Sequence, residues 1–79
     1  MHTKITLDKL QKGDSAKIES FLSEDLPAKH FELGITPGAS IQINQKAPFN
    51  GPICIQIIEN NTLIAIRVAE ASLILVKKI

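Results

Sequence analysis

From Ile41 to Val76 apolar and polar side chains take turns along the chain, the period-two pattern of strands with one buried face. Ile41 and Ile43 alternate with Gln42 and Asn44, and Ile53, Ile55 and Ile57 with Cys54, Gln56 and Ile58. After the turn pair Asn60-Asn61, Ile64, Ile66 and Val68 alternate with Ala65 and Arg67. Ala69-Glu70-Ala71 breaks the pattern and suits one helical turn, and Leu73 to Val76 reads as a last strand. Ahead of these, Ser15 to Leu22 carries a weaker alternation in which Ala16 and Ile18 oppose Lys17 and Glu19. Ile5 to Leu10 reads as a docking piece whose Leu7 and Leu10 close one end of the core, and Lys12-Gly13-Asp14 as a turn.

The period changes once. Leu26, His30 and Leu33 recur at helical spacing with Phe31 on their flank, which predicts a short helix over about residues 24–33. Ser23-Glu24-Asp25 offers oxygen-bearing caps for its first turn, where Pro27 is also tolerated. Gly34 stands where helices stop at positive φ, and Thr36-Pro37-Gly38 suits a type II turn. Five short strands joined by tight turns, with one helix inserted, predict a mostly β fold, a small closed barrel occupying residues 1–79 as one domain. Closure would remove the sticky edges that isoleucine-rich strands otherwise offer.

Ala47-Pro48-Phe49-Asn50-Gly51-Pro52 is the most distinctive stretch. Two prolines stiffen the backbone around Asn50-Gly51, a strong signal for a reversal with positive φ. Phe49 at its tip has two readings: folding back over the barrel, which is favoured, or standing out as a contact residue. Such a loop suits a protein that presents a surface to a partner.

Composition narrows the function classes. With 79 residues, 44% apolar and only three aromatics, all Phe, the chain can form a sound core but not a deep reaction chamber. A net charge of +1 lacks the basic excess of nucleic-acid binders, and without Tyr or Trp there are few stacking platforms. The single Cys54 excludes an internal disulfide framework and fits a reducing cytoplasm. No basic-then-apolar leader and no run of 18 apolar residues is present, so the reading is cytoplasmic, with no membrane insertion.

Candidate chemistry is sparse. His2, His30 and Cys54 are the only soft or borderline metal ligands and stand far apart in sequence, so no metal site and no cofactor is read from the chain. His30 lies on the apolar stripe and reads as a structural histidine, and Cys54 as a passive strand residue facing outward. Glu24-Asp25 fits a helix N-terminus, and the glycines at 13, 34, 38 and 51 are turn residues outside any phosphate-loop motif. Catalysis has no positive support, and the chain is read as not an enzyme. Arg67, the only arginine, is either a solvated residue on an apolar strand or an interfacial guanidinium.

Four segments in order resemble the ferrous-iron transport protein A family, FeoA, over almost the whole chain. They are Leu7-x-x-Leu10-x-x-Gly13; Lys29-x-Phe31-Glu32-Leu33-Gly34-Ile35-x-Pro37-Gly38; the 47–53 loop, similar to an Ala-Pro-Leu-Gly-Asp-Pro-Ile pattern; and Leu63-Ile64-Ala65-Ile66-Arg67 with Glu70-Ala71 and Ile74-x-Val76. His30 departs from the family's usual Leu, and Asn50-Gly51 from its Gly-Asp.

The resemblance implies an SH3-like barrel and a cytoplasmic, non-enzymatic accessory role beside FeoB, the GTP-dependent membrane transporter of Fe²⁺. It leaves transition-metal binding and oligomeric state open. It makes Lys29, Pro48, Phe49, Pro52 and Arg67 the candidate partner-binding residues. The alternative is a free-standing SH3-like peptide-binding adaptor, related to the C-terminal domain of iron-dependent repressors but with no DNA-binding helices expected ahead of it.

Overall fold

The computed structural model describes residues 4–24, 26 and 28–79, apart from the side chain of Lys29. Six strands form one antiparallel sheet: β1 (Lys4–Thr6), β2 (Ser15–Phe21), β3 (Ser40–Lys46), β4 (Ile53–Ile57), β5 (Thr62–Ile66) and β6 (Ile74–Lys78). A 3-10 turn, Leu7–Lys9, follows β1, and two short helices, α1 (Ala28–Glu32) and α2 (Val68–Ala71), interrupt the strands. The mostly β fold is as expected from the alternation, with one strand more than the five read from sequence. That extra strand is the docking piece, whose three residues are too few to show a period.

Hydrogen-bonded strands follow the order β1-β6-β2-β3-β4-β5. Among the described residues β1 and β5 do not pair, so the curled sheet keeps two ends where full closure was expected. α2, just beyond β5, packs on the 3-10 turn just beyond β1. One helical turn thus bridges the ends that the ladder leaves open.

Isoleucine makes the core. In the register Ile43 faces Ile55, which in turn faces Ile64; Ile41 faces Ile57, and Ile53 faces Ile66. All seven are buried, so a continuous row of branched side chains crosses three strands. Each such side chain contributes about 1.5–3 kcal/mol on burial, and their stiff χ1 suits the pleat. Leu7 and Leu10 are buried at one end, as the docking reading expects. Irregularities in register between Ile18 and Ser20 and between Ile43 and Gln45 bend β2 and β3 and help the sheet curl.

The turns behave as their residues dictate. Gly13 and Gly38 take φ of 91° and 92°, and the amides of Asp14 and Ala39 donate to the carbonyls of Gln11 and Thr36, closing two turns. α1 ends with Gly34 at φ 114°: its N–H donates to Phe31 and that of Ile35 to His30, the paired bonds of a Schellman motif. The helix is shorter than the expected 24–33. Ser23 and Glu24 precede it without helical structure, and Asp25 and Pro27 of the expected first turn lie outside the described residues. Leu33, expected on the apolar stripe, is exposed, because the helix ends before a second turn could carry it inward.

Candidate functional site

Phe49 does not fold back. It is 99% exposed, so the favoured reading of the sequence is corrected. The reason lies in the backbone: Phe49 and Asn50 both take φ of 58°, and the amide of Gly51 donates to the carbonyl of Pro48 at 3.1 Å. Positive φ at both central residues is the mark of a I′ turn, whose twist matches the flanking strands. The turn centre is therefore Phe49-Asn50, one position earlier than the Asn50-Gly51 pair predicts.

Gly51 serves another purpose. A Cβ there would lie 2.7 Å from the Cβ of Ala47 and 3.1 Å from the carbonyl oxygen of Pro48. Glycine lets the two arms approach, so the left-handed positions fall to Phe49 and Asn50. Asn tolerates that region, whereas a bulky residue in it is strained. The chain thus holds an exposed aromatic ring on a locally unfavourable backbone, with Pro48 and Pro52 limiting how far the arms can relax.

The base of this hairpin is braced. Ala47 donates to the carbonyl of Pro52 at 3.0 Å. Next to it, the ammonium of Lys46 donates to the carbonyls of Asp8 and Leu10 at 3.1 and 2.9 Å. These bonds tie the hairpin to the 3-10 turn at the core's edge. Nothing in the sequence distinguished Lys46 from the other lysines, because its partners are backbone oxygens nearly forty positions away.

Arg67 stands at the same end. Ile53 pairs with Ile66, so Pro52 and Arg67, the residues next to that last pair, lie at the same end of the β4–β5 ladder. Arg67 is not within a strand, as the alternation suggested, since β5 ends at Ile66 and Arg67 is the exposed N-cap of α2. The strand pattern through Val68 is broken because Glu70 accepts the backbone N–H of Arg67 at 3.2 Å and starts the helix.

Glu70 also meets His30, whose Nε2 lies 3.1 Å from the same carboxylate oxygen. His30 is 2% exposed, which bears out its reading as a structural histidine. Burial pushes the Glu70 carboxyl up, but the bonds from His30 and Arg67 outweigh it and hold its pKa below the ordinary glutamate value. With Glu70 ionised, Nε2 carries the proton, and Nδ1 is left buried without a partner among the described residues.

Of the five candidate contact residues, the fold therefore gathers Pro48, Phe49, Pro52 and Arg67 at one end of the β3–β4–β5 face. Lys29 lies in α1, next to the histidine that joins that helix to α2, and its side chain is outside the described part. Cys54 is half-buried with Sγ 3.9 Å from the Asn44 amide nitrogen. His2 lies outside the described residues, and no three metal-type ligands cluster among those described.

A second surface has no periodic signature in the sequence. Phe21 and Phe31 meet edge to face, ring centres 5.0 Å apart, and with Leu22, Ser23 and Glu24 they line an open groove of about 380 Å³. Leu22 is 57% and Phe31 37% exposed, so its walls are apolar and wet. No helix among the described residues is long and apolar enough to cross a membrane.

A curled six-stranded sheet interrupted by two short helices is the architecture of an SH3-like domain. Manganese-dependent transcriptional repressor shares this fold with a TM-score of 0.81 at 18% identity, over 100% of this chain and 44% of that one. The family is narrower: a model described as the FeoA domain matches residues 5–78, and the chain belongs to that family. An iron uptake regulatory protein (FeoA) is similar at 28% identity with a TM-score of 0.83, covering 98% of this chain and 99% of that one. Stenotrophomonas maltophilia FeoA complexed with zinc, described as a prokaryotic SH3 domain protein, is similar at 27% identity with a TM-score of 0.73, over 91% and 88% of the two chains. No curated protein matches the sequence.

Proposed function

We propose that this chain is a non-enzymatic, cytoplasmic accessory protein of bacterial ferrous-iron uptake that binds and modulates the cytoplasmic part of the GTP-dependent Fe²⁺ transporter FeoB. Membership of the FeoA family supports the iron-uptake setting. The observation that carries the contact surface is Phe49, almost fully exposed on a turn whose backbone is strained and whose base is braced. A rigid aromatic with few rotatable bonds loses little entropy on docking, which suits it to anchor an interface. Pro48 and Pro52 hold the anchor, and Arg67, next to the last β4–β5 pair, adds a charge-bearing fork at its foot.

Co-purification with the transporter's cytosolic GTPase region tests the proposal. The wild-type chain is expected to be retained, and Phe49→Ala to lose most of the retained material while keeping its thermal transition. Retention of Phe49→Ala at the wild-type level removes the hairpin from the contact. Failure of wild type to bind removes the partner.

A further inference from the structure

An exposed aromatic knob and an apolar groove lie at different places on the surface. Phe49 projects fully into solvent from the hairpin tip. Elsewhere on the surface lies the groove lined by Phe21, Leu22 and Phe31, of about 380 Å³. A dry apolar cavity of about 150 Å³ holds benzene, so the groove has room for a phenyl ring with its backbone. The surroundings match in charge as well. Glu24, exposed, lies on the groove, and Glu32, also exposed, is next to Phe31; exposed Arg67 sits at the foot of the hairpin that carries Phe49.

We propose that the groove receives the Phe49 hairpin of a second copy of this chain, with Arg67 of the incoming copy facing the acidic residues beside Phe31. Each such contact uses one knob and one groove, so a single contact joins two copies head to tail. The area is small, so association is weak and concentration-dependent. Charges at its rim fix orientation more than affinity. The contact hides Phe49, so self-association and any use of Phe49 on another partner exclude each other. The inference concerns the purified chain alone and does not rest on the transporter reading.

Sedimentation velocity over rising protein concentration tests it, with the variants Phe49→Ala and Leu22→Glu. Both positions are exposed, so both variants keep the wild-type fold, checked by circular dichroism and thermal transition. Wild type is expected to associate, and each variant alone to associate about 30-fold more weakly or worse, the loss typical of an anchor residue. Mixing the two is expected to restore a heterodimer, because Phe49→Ala retains a groove and Leu22→Glu retains a knob. Monomeric wild type at every concentration overturns the proposal, including the case in which the groove takes an unrelated peptide instead. Variants that associate like wild type, or a mixture that stays monomeric, overturn it equally.

Discussion

The imidazole of His30 and the carboxylate of Glu70 meet at 3.1 Å although forty positions separate them in the chain. The bond joins α1 to α2, two helices of one turn or little more that could not persist alone. The same Glu70 oxygen accepts the N–H of Arg67, so one carboxylate both starts α2 and anchors α1.

Replacing the two partners should have unequal effects. Glu70→Ala removes the acceptor of the Arg67 amide and leaves Nε2–H of His30 buried without a partner, an expected loss of about 1–3 kcal/mol. His30→Leu removes a ring that already carries an unpartnered Nδ1 and substitutes an apolar side chain of similar size. Its expected change is under about 1 kcal/mol in either direction. Urea titration of the two variants measures the difference, and equal losses would show that the bond does not work as described.

The same carboxylate gives an acid limb. Its folded pKa is below the unfolded one, so its contribution is fully present above the unfolded value of about 4.3 and fades as pH falls through the folded value. Asp14 and Glu59 shift the same way, chiefly through backbone hydrogen bonds, from Gln11 in one case and from Glu59 itself and Ser40 in the other. Thermal melts from pH 6 to pH 3 should show stability falling with pH. In Glu70→Gln the fall should be shallower, since the amide cannot titrate.

Strain at the hairpin tip is testable by relieving it. Phe49→Gly places a residue at φ 58° that meets no Cβ penalty there and should stabilise by about 1 kcal/mol. In a domain of this size that is a rise of about 4–8 °C in Tm. Phe49→Ala keeps a Cβ and should gain nothing. A calorimetric scan of the three proteins separates them, and an unchanged Tm for Phe49→Gly contradicts a strained turn.

Lys46→Met tests the brace. The variant keeps the length of the stem but leaves the carbonyls of Asp8 and Leu10 without their charged donor. The expected cost is about 1.5–3 kcal/mol. Amide hydrogen exchange should accelerate across residues 7–10 more than in β4, where the ladder is untouched.

Most of the frame was legible before any coordinates. The alternation of Ile41, Ile43, Ile53, Ile55 and Ile57 reports burial on one face of a strand, and those residues are buried. Thr36-Pro37-Gly38 specified its turn because proline fixes one φ and glycine alone sits easily at the next. The strand period runs on through Val68 and Asn50-Gly51 has the composition of a turn centre, yet the backbone follows neither. In each case a nearer interaction prevailed: the Glu70 carboxylate on the Arg67 amide, and the approach of Ala47 to Gly51.

What the sequence determined by itself was therefore local. It set β2 to β6 in outline, the turns at Gly13, Gly34 and Gly38, the burial of His30 and the stiffness of the 47–52 loop, since backbone preference and side-chain period act over a few residues. Tertiary structure alone decided that Phe49 stands out, that Arg67 comes to the hairpin's end of the β4–β5 ladder, that Lys46 reaches two carbonyls across the chain, and that Phe21 and Phe31 open a groove. Those facts depend on register, curl and contact between distant segments, and no period along the chain encodes them.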